Sequence, residues 1–190
     1  MVASTQRLAP GFLVAAPGLT DPSFRESVVL LVDHGPEGSL GFVVNRPADV
    51  TFRNVLDELE LSDRGRPSPD VPVLVGGPVA PHTGWIVFDP ELRSVPEDAR
   101  IDVDRSVQVS ASRAVLEALA ASPDGRRHLL VLGYAGWGAG QLDDEIREGS
   151  WIPVELDAQV VFDTPYDDRW GAALSVLGID PRQVVGTGLA

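Results

Sequence analysis

Two apolar runs rich in β-branched residues, Val28-Val29-Leu30-Leu31-Val32 and Leu40-Gly41-Phe42-Val43-Val44, flank the turn residues Gly35-Pro36-Glu37-Gly38. Runs of this length on either side of a Gly/Pro turn predict a β-hairpin. A strand with one wet face alternates apolar and polar residues, and these two do not. Both faces must therefore be covered, which places the hairpin inside a sheet with helices packed on it. Strands are expected over 12–16, 27–33 and 39–45.

The period then changes. Phe52, Val55, Leu56 and Leu59 fall on one face of a 3.6-residue repeat, with Thr51 as N-cap and Val50 and Val55 spaced for a hydrophobic staple. A charged Pro/Gly segment over 62–70 reads as an exposed loop. Strand pieces are expected at 73–75 and 85–88, then an acidic, proline-rich loop over 89–104 and a short strand at 107–109. Ser110 is positioned to cap a helix running to Ala121 and stopped by Ser122-Pro123, with Val115, Leu116 and Leu119 inward. A buried strand over 129–134 leads into the glycine-rich stretch 133–140, read as a tight strand-to-helix turn beneath Trp137 and Trp151, and an acidic helix begins near Gln141. Strands are expected at 151–156 and 160–162. Thr164 as N-cap, Pro165 at the first position and Gly178 as the stop bound a last helix with Trp170, Leu174 and Leu177 on one face. Strands and helices interleave irregularly and no repeat is visible, so the chain reads as one α+β domain around a mixed sheet.

Composition narrows the chemistry. All 15 basic residues among the 190 are Arg, so lysine Schiff-base chemistry and a Walker-type phosphate lysine are absent. There is no Cys, which removes thiol nucleophiles, thiolate zinc sites and iron–sulfur clusters. A net charge of -13 argues against direct nucleic-acid binding, which needs cations along a polyanion, and against anionic membrane surfaces. The close pairs Arg64/Arg66 and Arg126/Arg127 sit among turn residues and read as solvated loops. Residues 1–10 lack the apolar run of a secretory signal, and no stretch approaches the roughly 18 apolar residues of a membrane span. The expected address is the cytoplasm, with 1–8 and 181–190 as flexible tails.

No catalytic constellation stands out. Gly136, Gly138 and Gly140 have the wrong spacing for a dinucleotide fingerprint, and Asp143, Asp144 and Glu145 just downstream would oppose a phosphate. No Ser lies in a G-x-S-x-G elbow. The paired acids Asp143-Asp144 and Asp167-Asp168 read as helix-start charges. His34, His82 and His128 are too far apart for a metal signature; no metal and no cofactor is expected. The turns Asn45-Arg46-Pro47 and Gly76-Gly77-Pro78-Val79 can present an Arg fork and backbone amides to a carboxylate-bearing ligand or partner, or serve as structural punctuation. The leading expectation is a non-enzymatic binding or regulatory module acting through a protein or small-molecule partner. In it Asn45, Arg46, Gly76, Gly77, Trp137 and Gln141 line one surface. The alternative is a small hydrolase or transferase with His34 or His82 beside a carboxylate as acid/base.

Several segments together resemble the YqgE/AlgH family of bacterial proteins. They are Gly11-Phe12-Leu13-Val14-Ala15, Asp21 and Phe24 ahead of Ser27-Val28, Gly41 through Asn45-Arg46-Pro47, Gly76-Gly77-Pro78-Val79, and Gly133-Tyr134-Ala135-Gly136-Trp137 on through Gly140-Gln141-Leu142 and Glu145 to Trp151. Their order and spacing, over about 8–178, carry the resemblance more than any single piece. It implies a compact domain with a mixed, partly closed sheet surrounded by helices. It implies a cytosolic protein without established catalytic residues, in a family often labelled as transcriptional regulators. For a chain this acidic, such regulation is expected to run through a protein partner.

Overall fold

A computed structural model describes residues 8–61, 71–91, 95–121 and 127–180. In chain order the elements are β1 (Gly11–Ala15), β2 (Val28–Gly35), β3 (Gly38–Val43), β4 (Pro47–Thr51), α1 (Phe52–Glu58), β5 (Pro72–Val75), β6 (Val79–Phe88), β7 (Ile101–Asp102), β8 (Gln108–Ser110), α2 (Arg113–Ala120), β9 (His128–Gly138), α3 (Gln141–Arg147), β10 (Trp151–Val154), α4 (Ala158–Phe162) and α5 (Arg169–Val176). The strands form one sheet in the order β10-β1-β2-β3-β9-β6-β8-β7, with β5 also on β9 and β4 on β5. Among these pairings only β5 with β9 is parallel, so the sheet is mixed.

The non-alternating runs are explained by which face each residue takes. Val28 and Leu30 join Phe12, Val14, Phe42 and Val44 in an inner core; Val29 and Leu31 join Leu13, Ala15 and Val43 on the opposite face. The inner core continues across β9 through Leu129 and Val131 to Val87 and Val109 and is covered by Val160, Val161, Ala173 and Leu174 of α4 and α5. One apolar interior shared by both halves of the sheet is what curls it. The outer face is covered in two patches, by Leu142 of α3 on one half and by Phe52, Leu56, Val115, Leu116 and Leu119 of α1 and α2 on the other. Covering both faces removes the need for polar alternation.

β9 holds the two halves together. Its Gly138-to-Ala135 stretch pairs with β3, while Val131 and Leu132 on the same edge pair with β5. At the fork Gly76 donates to Leu132 O (2.7 Å) and its carbonyl accepts from Val43 N (2.8 Å).

Several local expectations are met. Thr51 caps α1 and forms a capping box with Asn54, Asp143 and Asp144 lie in the first turn of α3, and Gly178 ends α5 at φ 71. Others are corrected. Residues 160–162 are helical, because Asp157 accepts from Gln159 N (2.8 Å) and starts α4. The cap of α2 is Ser112; Ser110 is buried and its hydroxyl goes to Ala99 O. Thr164 does not cap the last helix: its hydroxyl donates to Gln159 O (3.1 Å), a 3-10 turn at Tyr166–Asp168 intervenes, and Leu177 is exposed. The glycine stretch is mostly strand, with β9 running to Gly138 and the turn confined to 139–140. The 62–70 loop with Arg64 and Arg66, Arg126, the Ser122-Pro123 stop and the tails 1–7 and 181–190 lie outside the described residues; Leu8 packs beside the outer-face core. Arg127 pairs with Asp163 and Asp89.

Candidate functional site

The loop joining β1 to β2 is held from outside by the turn that follows β3. Asn45 accepts from Val28 N (2.8 Å) and donates to Glu26 O (2.9 Å), standing in for a missing stretch of strand pairing. Arg46 donates to the carbonyls of Pro22 (3.0 Å), Ser23 (2.5 Å) and Arg25 (3.0 Å). The rigid, planar guanidinium holds its donors in a fixed fork, so it collects three carbonyls of one loop in a single geometry. Glu26 is fixed at φ 54, a left-handed conformation uncommon outside glycine.

Beside this clamp lies a recess of about 510 Å³ lined by Thr20, Pro22, Arg25 and Glu26 of the loop, by Asn45 and Arg46, and by Asp167 and Trp170. Arg46 spends donors on the loop, but among the described residues the side chains of Arg25, Glu26 and Asp167 make no hydrogen bond or ion pair. The indole of Trp170 is oriented by a bond to Ala15 O (2.9 Å).

Under the recess runs a buried cation. Arg169, 2% exposed, donates to Thr164 O (2.9 Å) and to Val44 O, and its guanidinium lies 4.4 Å from the Tyr166 ring centre. It ties the segment carrying Asp167 and Trp170 to the turn carrying Asn45 and Arg46. Burial lowers its pKa to about 10, an effect partly offset by Tyr166. Burial likewise raises the Tyr166 pKa above its ordinary 10, partly offset by the Arg169 charge. The signs oppose. Arg169 loses its proton at lower pH in the folded than in the unfolded chain, so its contribution to stability rises as pH climbs past about 10. Tyr166 keeps its proton longer when folded, so its contribution falls as pH rises past 10. The chain has two Tyr. In a Tyr134→Phe variant, phenolate absorbance is therefore expected to rise with a midpoint above 10 in the folded protein and to return to the ordinary value in denaturant.

The Trp137 region connects to the same loop from the other side. Trp137 is 6% exposed. Phe24 stacks on it at 6.3 Å and meets Trp151 edge-on at 5.4 Å. One carboxylate serves both indoles, Glu145 Oε2 accepting from Trp137 Nε1 (2.9 Å) and Trp151 Nε1 (2.8 Å). Gln141 donates to Glu145 Oε1 (2.8 Å) and accepts from Gly138 N (3.0 Å). Asn45 and Arg46 thus reach the recess, whereas Trp137 and Gln141 brace the opposite side of its loop. Gly76 and Gly77 are buried at the strand fork and line neither.

His34 is half-buried, with Nδ1 2.8 Å from Ser39 Oγ and Nε2 3.6 Å from Asp143 Oδ1. His82 is exposed, on a mostly apolar groove with Leu59, Ile86 and Leu116. Among the described residues the ion pairs include His34 and not His82, no group of three or more His, Asp or Glu could hold a metal, and no helix is long and apolar enough to cross a membrane. Arg25, Glu26 and Arg169 carried no sequence signal and Asp167 read only as a helix-start charge, since the recess is assembled from segments some 140 residues apart.

Comparison with known proteins gives a consistent result. The family model described as AlgH-like, DUF179, matches residues 12–182. A UPF0301 protein of Anaeromyxobacter dehalogenans is 47% identical over 178 residues, covering 92% of this chain and 90% of that one. A UPF0301 protein of Burkholderia cenocepacia is 39% identical over 175 residues, 92% and 91% of the two chains. Among solved structures, the solution structure of the AlgH protein from Pseudomonas aeruginosa superposes with a TM-score of 0.75 at 30% identity, over 100% of this chain and 99% of that one. A crystal structure from Corynebacterium diphtheriae, TM-score 0.70 at 23% identity over 93% and 90%, shares the fold.

Proposed function

We propose, for a chain that belongs to the AlgH-like family DUF179, a non-enzymatic binding module whose working surface is the recess between the Asn45–Arg46 turn, the 20–26 loop and Trp170. The observation that carries this reading is three exposed charged residues, Arg25, Glu26 and Asp167, whose side chains have no partner among the described residues and which line one recess braced by Asn45, Arg46 and Arg169. Unpaired charges on a pre-organised frame suit recognition of a polar molecule. Any regulatory role then runs through that molecule or a protein partner, because -13 net charge disfavours a duplex. The cytoplasm, expected from sequence, suits a module of this kind and is checked by cell fractionation.

The test is to purify the tagged protein from its native extract, denature it and identify the released small molecules by mass spectrometry. A molecule recovered in near-equimolar amount from the wild type and lost from Arg25→Ala, at an unchanged melting temperature, is the expected result. An empty, well-folded wild-type preparation would count against the reading.

Glu26 supplies a separate prediction. Its positive φ is strained for a side-chain-bearing residue, and strain of this kind persists where the surroundings over-determine it. Glu26→Gly relieves it, so the melt is expected to hold or to gain, by about 1 kcal/mol at most, while recovery of the bound molecule drops. A variant that both melts lower and binds normally would remove Glu26 from the site.

A second reading has one specific observation behind it. Ser39, His34 and Asp143 form a chain of contacts at 2.8 and 3.6 Å, the order in which a hydroxyl, a base and an orienting acid would stand. Acid/base catalysis there predicts ester hydrolysis that falls about a hundredfold in His34→Ala. Equal rates for the two proteins would eliminate it.

A further inference from the structure

We infer that the recess takes a small dipolar molecule, one bearing an anionic and a cationic group together as an amino acid does. The inference rests on the binding reading above and specifies its ligand class. Arg25, Arg46, Glu26 and Asp167 all line the recess, so the formal charges of its lining residues cancel. None of the four pairs with another: Arg46 is bonded to loop carbonyls, and the side chains of the other three have no partner among the described residues. Opposite charges that line one cavity without meeting leave room for a ligand whose two ends meet them instead.

A simple anion would gain Arg25 but face two carboxylates, and would also approach a chain of net charge -13. A simple cation would gain Glu26 and Asp167 but face Arg25 and the fixed charge of Arg46. A dipolar molecule is attracted at both ends and feels little of the overall field. Trp170, held by its bond to Ala15 O, offers a ring surface beside which a cationic end is favoured. The 510 Å³ volume admits a ligand from amino-acid size upward.

The experiment uses three probes of one length: γ-aminobutyrate, butyrate and butylamine. They are titrated into the full chain while the indole N–H resonance of Trp170, assigned with a Trp170→Phe control, is followed by NMR. γ-Aminobutyrate is expected to bind about tenfold more tightly than either single-charge probe, the size of one added charge-assisted contact. Arg25→Gln should erase its advantage over butylamine, and Asp167→Asn with Glu26→Gln its advantage over butyrate, with melts unchanged. Butyrate or butylamine binding as well as γ-aminobutyrate would overturn the ligand class and leave the binding site standing. Dipolar binding indifferent to all three substitutions would place the ligand elsewhere and overturn the proposal. Silence of Trp170 towards every probe would overturn it together with the binding reading of the recess.

Discussion

Gly77→Ala is expected to abolish the folded state, with no cooperative melt and recovery in the insoluble fraction. A Cβ at Gly77 would lie 2.3 Å from both the carbonyl carbon and oxygen of Tyr134 and 2.5 Å from Ala135 N, and the backbone there has φ +152. These are backbone atoms of the central strand, which cannot swing away as a side chain would. The neighbouring Gly76 is equally tight, its Cβ position being 2.3 Å from Val131 Cγ1 and 2.5 Å from Gly133 O. Relief requires separating β9 from the β3/β5 fork, where both halves of the curled sheet are joined. A loss above about 4 kcal/mol is a large share of the stability of a domain this size. Gly140→Ala is the control. Gly140 also has positive φ, +73, but nothing lies within 4 Å of its Cβ position, so only conformational strain of about 1–2 kcal/mol is expected. Urea denaturation of the two variants separates the cases. Similar midpoints would show that the fork tolerates more movement than its contacts imply.

Trp137→Ala is expected to lower stability by about 3–5 kcal/mol, the usual cost of emptying a buried aromatic site. The indole fills the outer-face core between Phe24, Trp151 and Leu142. Its removal also takes one of the donors from Glu145 Oε2 and the stacking surface from Phe24. Trp137→Phe keeps part of the packing and loses the N–H and one ring of the indole, so it should cost less, about 2 kcal/mol. Since Phe24 sits in the loop clamped by Arg46, Trp137→Ala should further weaken binding in the recess although Trp137 does not line it. Denaturation midpoints measure the first effect; the γ-aminobutyrate titration, at a temperature where the variant is folded, measures the second. A normal melt with lost binding would return Trp137 to the role of a direct ligand contact.

The contrast between these residues shows what could be read in advance. The uninterrupted apolar runs of β2 and β3 announced a sheet covered on both faces, because a polar residue on either face would lose its water. Thr51 and Gly178 are local signals, satisfied by backbone within a few residues, and they were legible for that reason; the answering Asn54 side chain of the capping box was not read in advance. Val160-Val161-Phe162 was misleading for the complementary reason: a helix of five residues has too little length to show its period, and its Asp157 cap outweighs β-branched propensity. Asn45 and Arg46 could be singled out as a turn with a guanidinium. Nothing local says that the guanidinium clasps the carbonyls of 22, 23 and 25 while the Arg25 side chain pairs with none of the described residues.

Composition and apolar patterning set the chemistry available and the kind of layers formed. Arginine is the only strong base, there is no thiol, the charge is strongly acidic, and the apolar pattern demands a buried sheet with helices on it. Tertiary structure alone decided the recess. Its charged lining comes from positions 25, 26 and 46 and from 167, brought to one recess by the bonds of Arg169 to Val44 O, across 125 residues of chain, and of Trp170 to Ala15 O. Periodicity and capping act over one or two turns of chain, whereas the pairing of a buried cation with a distant carbonyl depends on how the whole sheet curls.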